Sequence, residues 1–104
     1  MTTATQEQAA LDSVPKGLFV GGEWIDATAG ATLPVEDPAT GEPLCQVAYA
    51  TPEDALGALT AAVAAQEEWA RVTPRARGEI LRAAFEEMIA RTEELALIMT
   101  LEMG

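Results

Sequence analysis

The stretch Val47-Ala48-Tyr49-Ala50-Thr51-Pro52-Glu53-Asp54-Ala55-Leu56 holds the change of period that decides the fold. Before it, Pro43 to Tyr49 reads as a strand. Leu44, Gln46 and Ala48 face one way; Cys45, Val47 and Tyr49 face the other. After it, Leu56, Leu59, Ala62 and Val63 recur at helical spacing, with Trp69 near the end. Thr51 offers an N-cap oxygen and Pro52 suits the first helical position. Glu53 and Asp54 place negative charge at the positive end of the helix dipole. The expected helix runs to about Ala70.

Toward the N-terminus the pattern is extended. Leu18-Phe19-Val20 and Glu23-Trp24-Ile25 are separated by Gly21-Gly22, which predicts a hairpin because primed turns need positive φ. Ala27 to Gly30 reads as a further turn. Thr32 to Glu36 reads as another extended segment, confined by Pro34 to an edge. Asp37-Pro38-Ala39-Thr40-Gly41-Glu42 predicts a tight turn. Residues 1–15 are polar, small and unpatterned and read as a flexible N-terminal lead-in.

Toward the C-terminus, Thr73-Pro74 repeats the helix-start device. Ile80, Leu81, Ala84, Phe85, Met88 and Ile89 then form a wide apolar stripe, with Glu87 and Arg91 spaced to support each other. Thr92 is expected to cap a third helix, with Glu93 and Glu94 in its first turn. Leu95, Ala96, Leu97, Ile98, Met99 and Leu101 leave that helix almost no polar face, which calls for burial on several sides. The fold class is therefore α/β: short antiparallel strands followed by about three helices.

Composition narrows the chemistry. The 104 residues carry 17 acidic and 6 basic side chains, a formal net charge of −11, no histidine and one cysteine. No Ser-His or Cys-His nucleophilic site can be built from them. Carboxylates are almost the whole metal-ligand inventory, which suits hard cations better than zinc. A duplex nucleic-acid partner and an anionic membrane surface are both disfavoured by the shortage of Lys and Arg. A lone cysteine forms no internal disulfide and fits a reducing compartment. There is neither a secretory leader pattern nor an apolar run approaching the roughly 20 residues of a span. The expected location is the cytoplasm. Alanine supplies 21 of the 51 hydrophobic residues, so the chain has little large apolar surface with which to close a core.

Together these pieces resemble the N-terminal part of an aldehyde dehydrogenase, from about Lys16 to Gly104. Leu18 to Ile25 resembles the family's opening hairpin, and Val35-Glu36-Asp37-Pro38-Ala39-Thr40-Gly41-Glu42 its Asn/Asp-Pro-x-Thr-Gly-Glu turn. Thr51-Pro52-Glu53-Asp54 and the Ala-rich run to Trp69 resemble its first helix. Thr73-Pro74-Arg75-Ala76-Arg77 to Arg82 resembles the start of its second. Met99-Thr100-Leu101-Glu102-Met103-Gly104 is similar to the segment before its Gly-Lys-Pro, most of all in the succinate-semialdehyde dehydrogenase branch. On this resemblance, residues 16–104 are the N-terminal part of a truncated NAD(P)-binding domain, and the sequence is expected to continue in a longer protein.

The resemblance implies oxidation of a small aldehyde, succinate semialdehyde foremost, to its carboxylate with NAD or NADP by a homo-oligomeric enzyme. In the family a cysteine thiolate attacks the carbonyl, hydride passes to the nicotinamide, and a glutamate activates the water that releases the acid. Those groups lie beyond Gly104 in the family. No catalytic, cofactor-binding or metal residue is therefore assigned in this chain, and it is expected to be inactive alone. The competing reading is a free-standing acidic helical module that binds a partner protein through its exposed helix faces.

Individual residues read as structural. Cys45 has no His or cationic neighbour in sequence to activate it and reads as a packing residue. Trp24 and Trp69 are expected to anchor the hairpin and the first helix to the core. Arg71, Arg75, Arg77 and Arg82 are expected on solvated faces, paired with Glu68, Glu79 or Glu86. Gly21-Gly22 reads as a turn and not a nucleotide loop, since no strand-loop-helix unit surrounds it. Val35, Glu36 and Glu102 match, by resemblance, a region where some family members hold a monovalent cation; ordinary turn and helix polar groups are the reading preferred here.

Overall fold

The computed structural model describes residues 3–104. Its elements in chain order are α1 (Ala4–Ser13), β1 (Leu18–Val20), β2 (Glu23–Ile25), a 3-10 turn (Thr28–Gly30), β3 (Thr32–Glu36), β4 (Pro43–Ala48), α2 (Pro52–Arg71), α3 (Pro74–Ala90) and α4 (Thr92–Met103). The α/β class and the succession of strands β1–β4 by helices α2–α4 follow the pattern expected from the period change, with α1 an added helix ahead of the strands.

The two strand pairs form by local turn chemistry. In the first, Val20 faces Glu23 across Gly21 and Gly22, whose φ of 60° and 83° are those of a type I′ turn. In the second, β3 and β4 run antiparallel with Val35 opposite Cys45, and the register shifts between Val35 and Glu36. The Asp37 carbonyl accepts from the Gly41 amide at 2.8 Å, and the Asp37 side chain accepts from the Ala39 amide at 2.9 Å. Each sheet has only two strands, so Pro34 lies on an edge, as its missing N–H requires.

The helices start where the Thr-Pro pairs stand. The Thr51 hydroxyl accepts from the Asp54 amide and the Asp54 carboxylate accepts from the Thr51 amide, a reciprocal capping box. The Thr73 hydroxyl caps α3 through the Ala76 amide. α2 ends at Arg71 because Pro74 pushes Thr73 into the extended region, with φ −63° and ψ 151°.

Three expectations need correction. Residues 4–13 of the lead-in form a helix, not an unpatterned segment. Thr3 and Gln6 close a capping box, so a run of alanine, glutamine and glutamate, all good helix formers, has its first turn satisfied. Thr92 does not cap α4. Arg91 is the N-cap residue, and the Thr92 hydroxyl donates backward to the Ile89 carbonyl at 2.7 Å. Arg91 reaches forward to Glu94 and not back to Glu87, because its kinked backbone (φ −106°, ψ 21°) breaks the continuous helix that the i,i+4 pairing presupposes.

Packing is open. The Cα radius of gyration is 16.9 Å and the extents are 47 × 36 × 18 Å. A compact domain of this length has a radius near 13 Å. Among the described residues only Ala10, Ala27 and Leu101 are buried. Trp24 and Trp69, expected in the core, are 55% and 40% exposed. Trp24 stacks instead on its cross-strand partner Phe19, ring centroids 4.8 Å apart. The apolar stripes predicted on α2 and α3 form, but they face outward.

Candidate functional site

Three places gather side chains. The largest is an apolar groove of about 760 Å³ where α2 meets the start of α3, lined by Leu59, Val63, Trp69, Val72 and Ile80 among others. It continues into the exposed stripe of α3, where Leu81, Phe85, Met88 and Ile89 are each at least 60% exposed. Its rim offers Gln66 and Glu68 and no nucleophile. This surface is exposed and apolar and carries no group for bond chemistry of its own.

The second place is the junction of α1, the β3–β4 pair and α4. A cavity of about 70 Å³ there brings together Leu11, Val35, Cys45, Ile98 and Glu102, with Lys16 beside them. Cys45 is a free, half-buried thiol. Lys16 donates through Nζ to the Leu11 carbonyl, which caps the last turn of α1. Lys16 and Cys45, 29 positions apart in the sequence, line the same cavity, a proximity that no local spacing signals.

The third is a pair of polar ties between distant segments. The Asp54 carboxylate accepts from the Thr28 hydroxyl at 2.6 Å, from the Thr28 amide at 3.0 Å and from the Thr51 amide at 2.8 Å. These donors, the Thr28 hydroxyl first, hold its pKa down at about 2. The Glu94 carboxylate receives Arg91 through both oxygens, at 2.7 and 3.0 Å, and lies 2.6 Å from the Ser13 hydroxyl. Arg91, then Ser13, hold its pKa at about 2 as well, and Arg91 is raised in return. Neither Asp54–Thr28 nor Glu94–Ser13 was anticipated. The Thr3-x-x-Gln6 spacing was the one sequence signal that could have placed Ser13 on a helix.

The residues expected to be structural are placed as follows. Arg82 pairs with Glu86 at 3.2 Å on an exposed face. Gly21 and Gly22 turn a hairpin between antiparallel strands, so they do not form the strand-loop-helix cradle that a dinucleotide needs. Val35 and Glu102 meet at the small cavity, but Glu36 is not part of its wall, and Lys16 brings a positive charge to it. A single carboxylate in a mostly apolar lining is a poor donor set for a cation. Among the described residues no group of three His, Cys, Asp or Glu side chains is placed to hold a metal ion. No helix among the described residues is long and apolar enough to cross a membrane.

Comparison with known proteins supplies what the geometry leaves open. The aldehyde dehydrogenase family model matches residues 24–104. A succinate-semialdehyde dehydrogenase of Paenarthrobacter nicotinovorans is 61% identical over 61 residues, covering 59% of this chain and 14% of that protein. A betaine aldehyde dehydrogenase of Mesorhizobium japonicum is 48% identical over 86 residues, covering 83% of this chain and 18% of that protein. The chain thus spans less than a fifth of the length of either relative. With more than three quarters of its residues under the family model, and with the hairpin, turn and helix starts in matching order, the chain belongs to the aldehyde dehydrogenase family.

Proposed function

We propose that the protein carrying this chain oxidises an aldehyde to its carboxylate with NAD or NADP, and that succinate semialdehyde is the substrate. The observation that carries this reading is the family match over residues 24–104, joined by 61% identity to a succinate-semialdehyde dehydrogenase. A betaine aldehyde dehydrogenase matches at lower identity over a longer stretch, so it names the competing substrate. The same reading takes the enzyme to be cytoplasmic and homo-oligomeric, and residues 16–104 to be part of its cofactor-binding domain.

In this reading the segment contributes structure. Its strands and capped helices present an apolar face along α2 and α3, and further polypeptide of the enzyme covers that face. Burial of such side chains is favourable at about 25 cal/mol per Å². Neither the groove nor the Cys45 cavity takes part in the chemical step.

The test is a steady-state assay of the full-length protein with each nicotinamide cofactor and each of the two aldehydes. Succinate semialdehyde is expected to show a kcat/KM at least about tenfold above betaine aldehyde, a difference of about 1.4 kcal/mol in transition-state binding. A preference for betaine aldehyde would overturn the substrate assignment. Absence of turnover with any aldehyde would overturn the activity itself.

A further inference from the structure

We propose that α1 is a latch: its docking on α4 at Ser13 and Glu94 closes the small cavity holding Cys45, and its release opens that thiol to solvent. The helix is built to move as a formed unit. A capping box closes its N-terminus, and Lys16 holds the Leu11 carbonyl at its other end. It buries a single residue, Ala10. Its main tertiary attachment is to α4. A helix with so little buried apolar surface lies at the low-stability end of local opening.

The anchor is polar. The Ser13 hydroxyl lies 2.6 Å from Glu94 Oε1 and 2.7 Å from the Ala10 carbonyl. Its one proton serves one acceptor at a time, and the charged carboxylate is the stronger. Arg91 grips both oxygens of Glu94 and so fixes the acceptor in place. Ser13 stands between Leu11 and Val14 in sequence, and both of these form part of the wall of the cavity that Cys45 and Ile98 also line. Lifting Ser13 from Glu94 therefore carries away that wall.

Cys45 reports the state of the latch. The experiment is a short pulse of iodoacetamide on the folded full-length protein, with alkylation read on the Cys45 peptide by mass spectrometry. Ser13→Ala is expected to raise the rate roughly threefold to tenfold, the loss of one solvent-exposed hydrogen bond of ordinary net strength. Glu94→Gln, which loosens the Arg91 grip, is expected to raise it less. Ser13→Thr keeps the hydroxyl and is expected to react at the wild-type rate. Arg82→Ala, which breaks an exposed pair elsewhere, is expected to leave it unchanged. Wild-type rates in both Ser13→Ala and Glu94→Gln would refute the latch. An equal rise in Arg82→Ala would also refute it, by showing general loosening.

Discussion

Phe85 is the sharpest probe of the proposed structural role. In this chain 60% of it faces solvent, in the middle of the α3 stripe. A phenylalanine side chain offers about 200 Å² for burial, so about 120 Å² of it is available to a covering surface. At about 25 cal/mol per Å², covering that area stabilises the full enzyme by about 3 kcal/mol. Phe85→Ala in the full-length protein would then cost about 3–5 kcal/mol, the range for a buried aromatic truncated to alanine. The assay is urea unfolding followed by far-ultraviolet circular dichroism, with the midpoint shift converted through the slope. Glu86→Ala is the neighbouring control. Its exposed pairing with Arg82 predicts a change within about 1 kcal/mol. A cost below about 1 kcal/mol for Phe85→Ala would mean that the stripe stays exposed, since scattered surface changes fall in that range. The inference that α2 and α3 pack against further polypeptide would then fail.

Three further perturbations follow from the geometry. Leu101→Ala removes the largest of the buried side chains and is expected to cost about 2–5 kcal/mol, seen as a lowered thermal midpoint; an unchanged midpoint would show that α4 contributes no core. Gly17→Ala would put its Cβ 2.7 Å from the Ile25 carbonyl oxygen, a backbone clash expected to cost about 1–3 kcal/mol and to increase hydrogen exchange across β1 and β2; unaltered exchange would contradict that close approach. Asp54 has a folded pKa of about 2 against 3.8 for the free group, so ionisation favours the folded state. Its stabilisation is complete above 3.8 and fades as pH falls through about 2. The stability gap between wild type and Asp54→Ala should therefore shrink over that window, and a gap that stays constant would rule out the Thr28 and Thr51 donors as its source.

Local rules made most of the elements legible in the sequence. The Gly21-Gly22 hairpin, the Asp37 turn and the Thr51 and Thr73 caps each depend on residues within a few positions of one another. Each came out at its expected place, with α2 ending within a residue or two of the expected Ala70 and α3 starting at Pro74. The misses have physical causes as well. α1 escaped because its signal was capping and not apolar periodicity: Thr3 and Gln6 satisfy a first turn whose alanines and glutamines carry little amphipathic pattern. Thr92 was a plausible cap by type. Its backbone, however, already follows the kink at Arg91, so its hydroxyl bonds back to Ile89. Trp24 found its partner across the hairpin instead of in a core.

What the sequence alone determined is therefore the two strand pairs and the three helices that follow them, their order, the absence of an imidazole and the family, all of which reside in short-range patterns and composition. Only the tertiary structure decided that Ser13 meets Glu94, that Asp54 ties Thr28 to the start of α2, that Lys16 and Cys45 line one cavity, and that the apolar stripes of α2 and α3 face outward. Those contacts join residues separated by up to 81 positions. Such pairs come together only when whole elements pack, and packing depends on the joint shape of several faces, which no local spacing encodes.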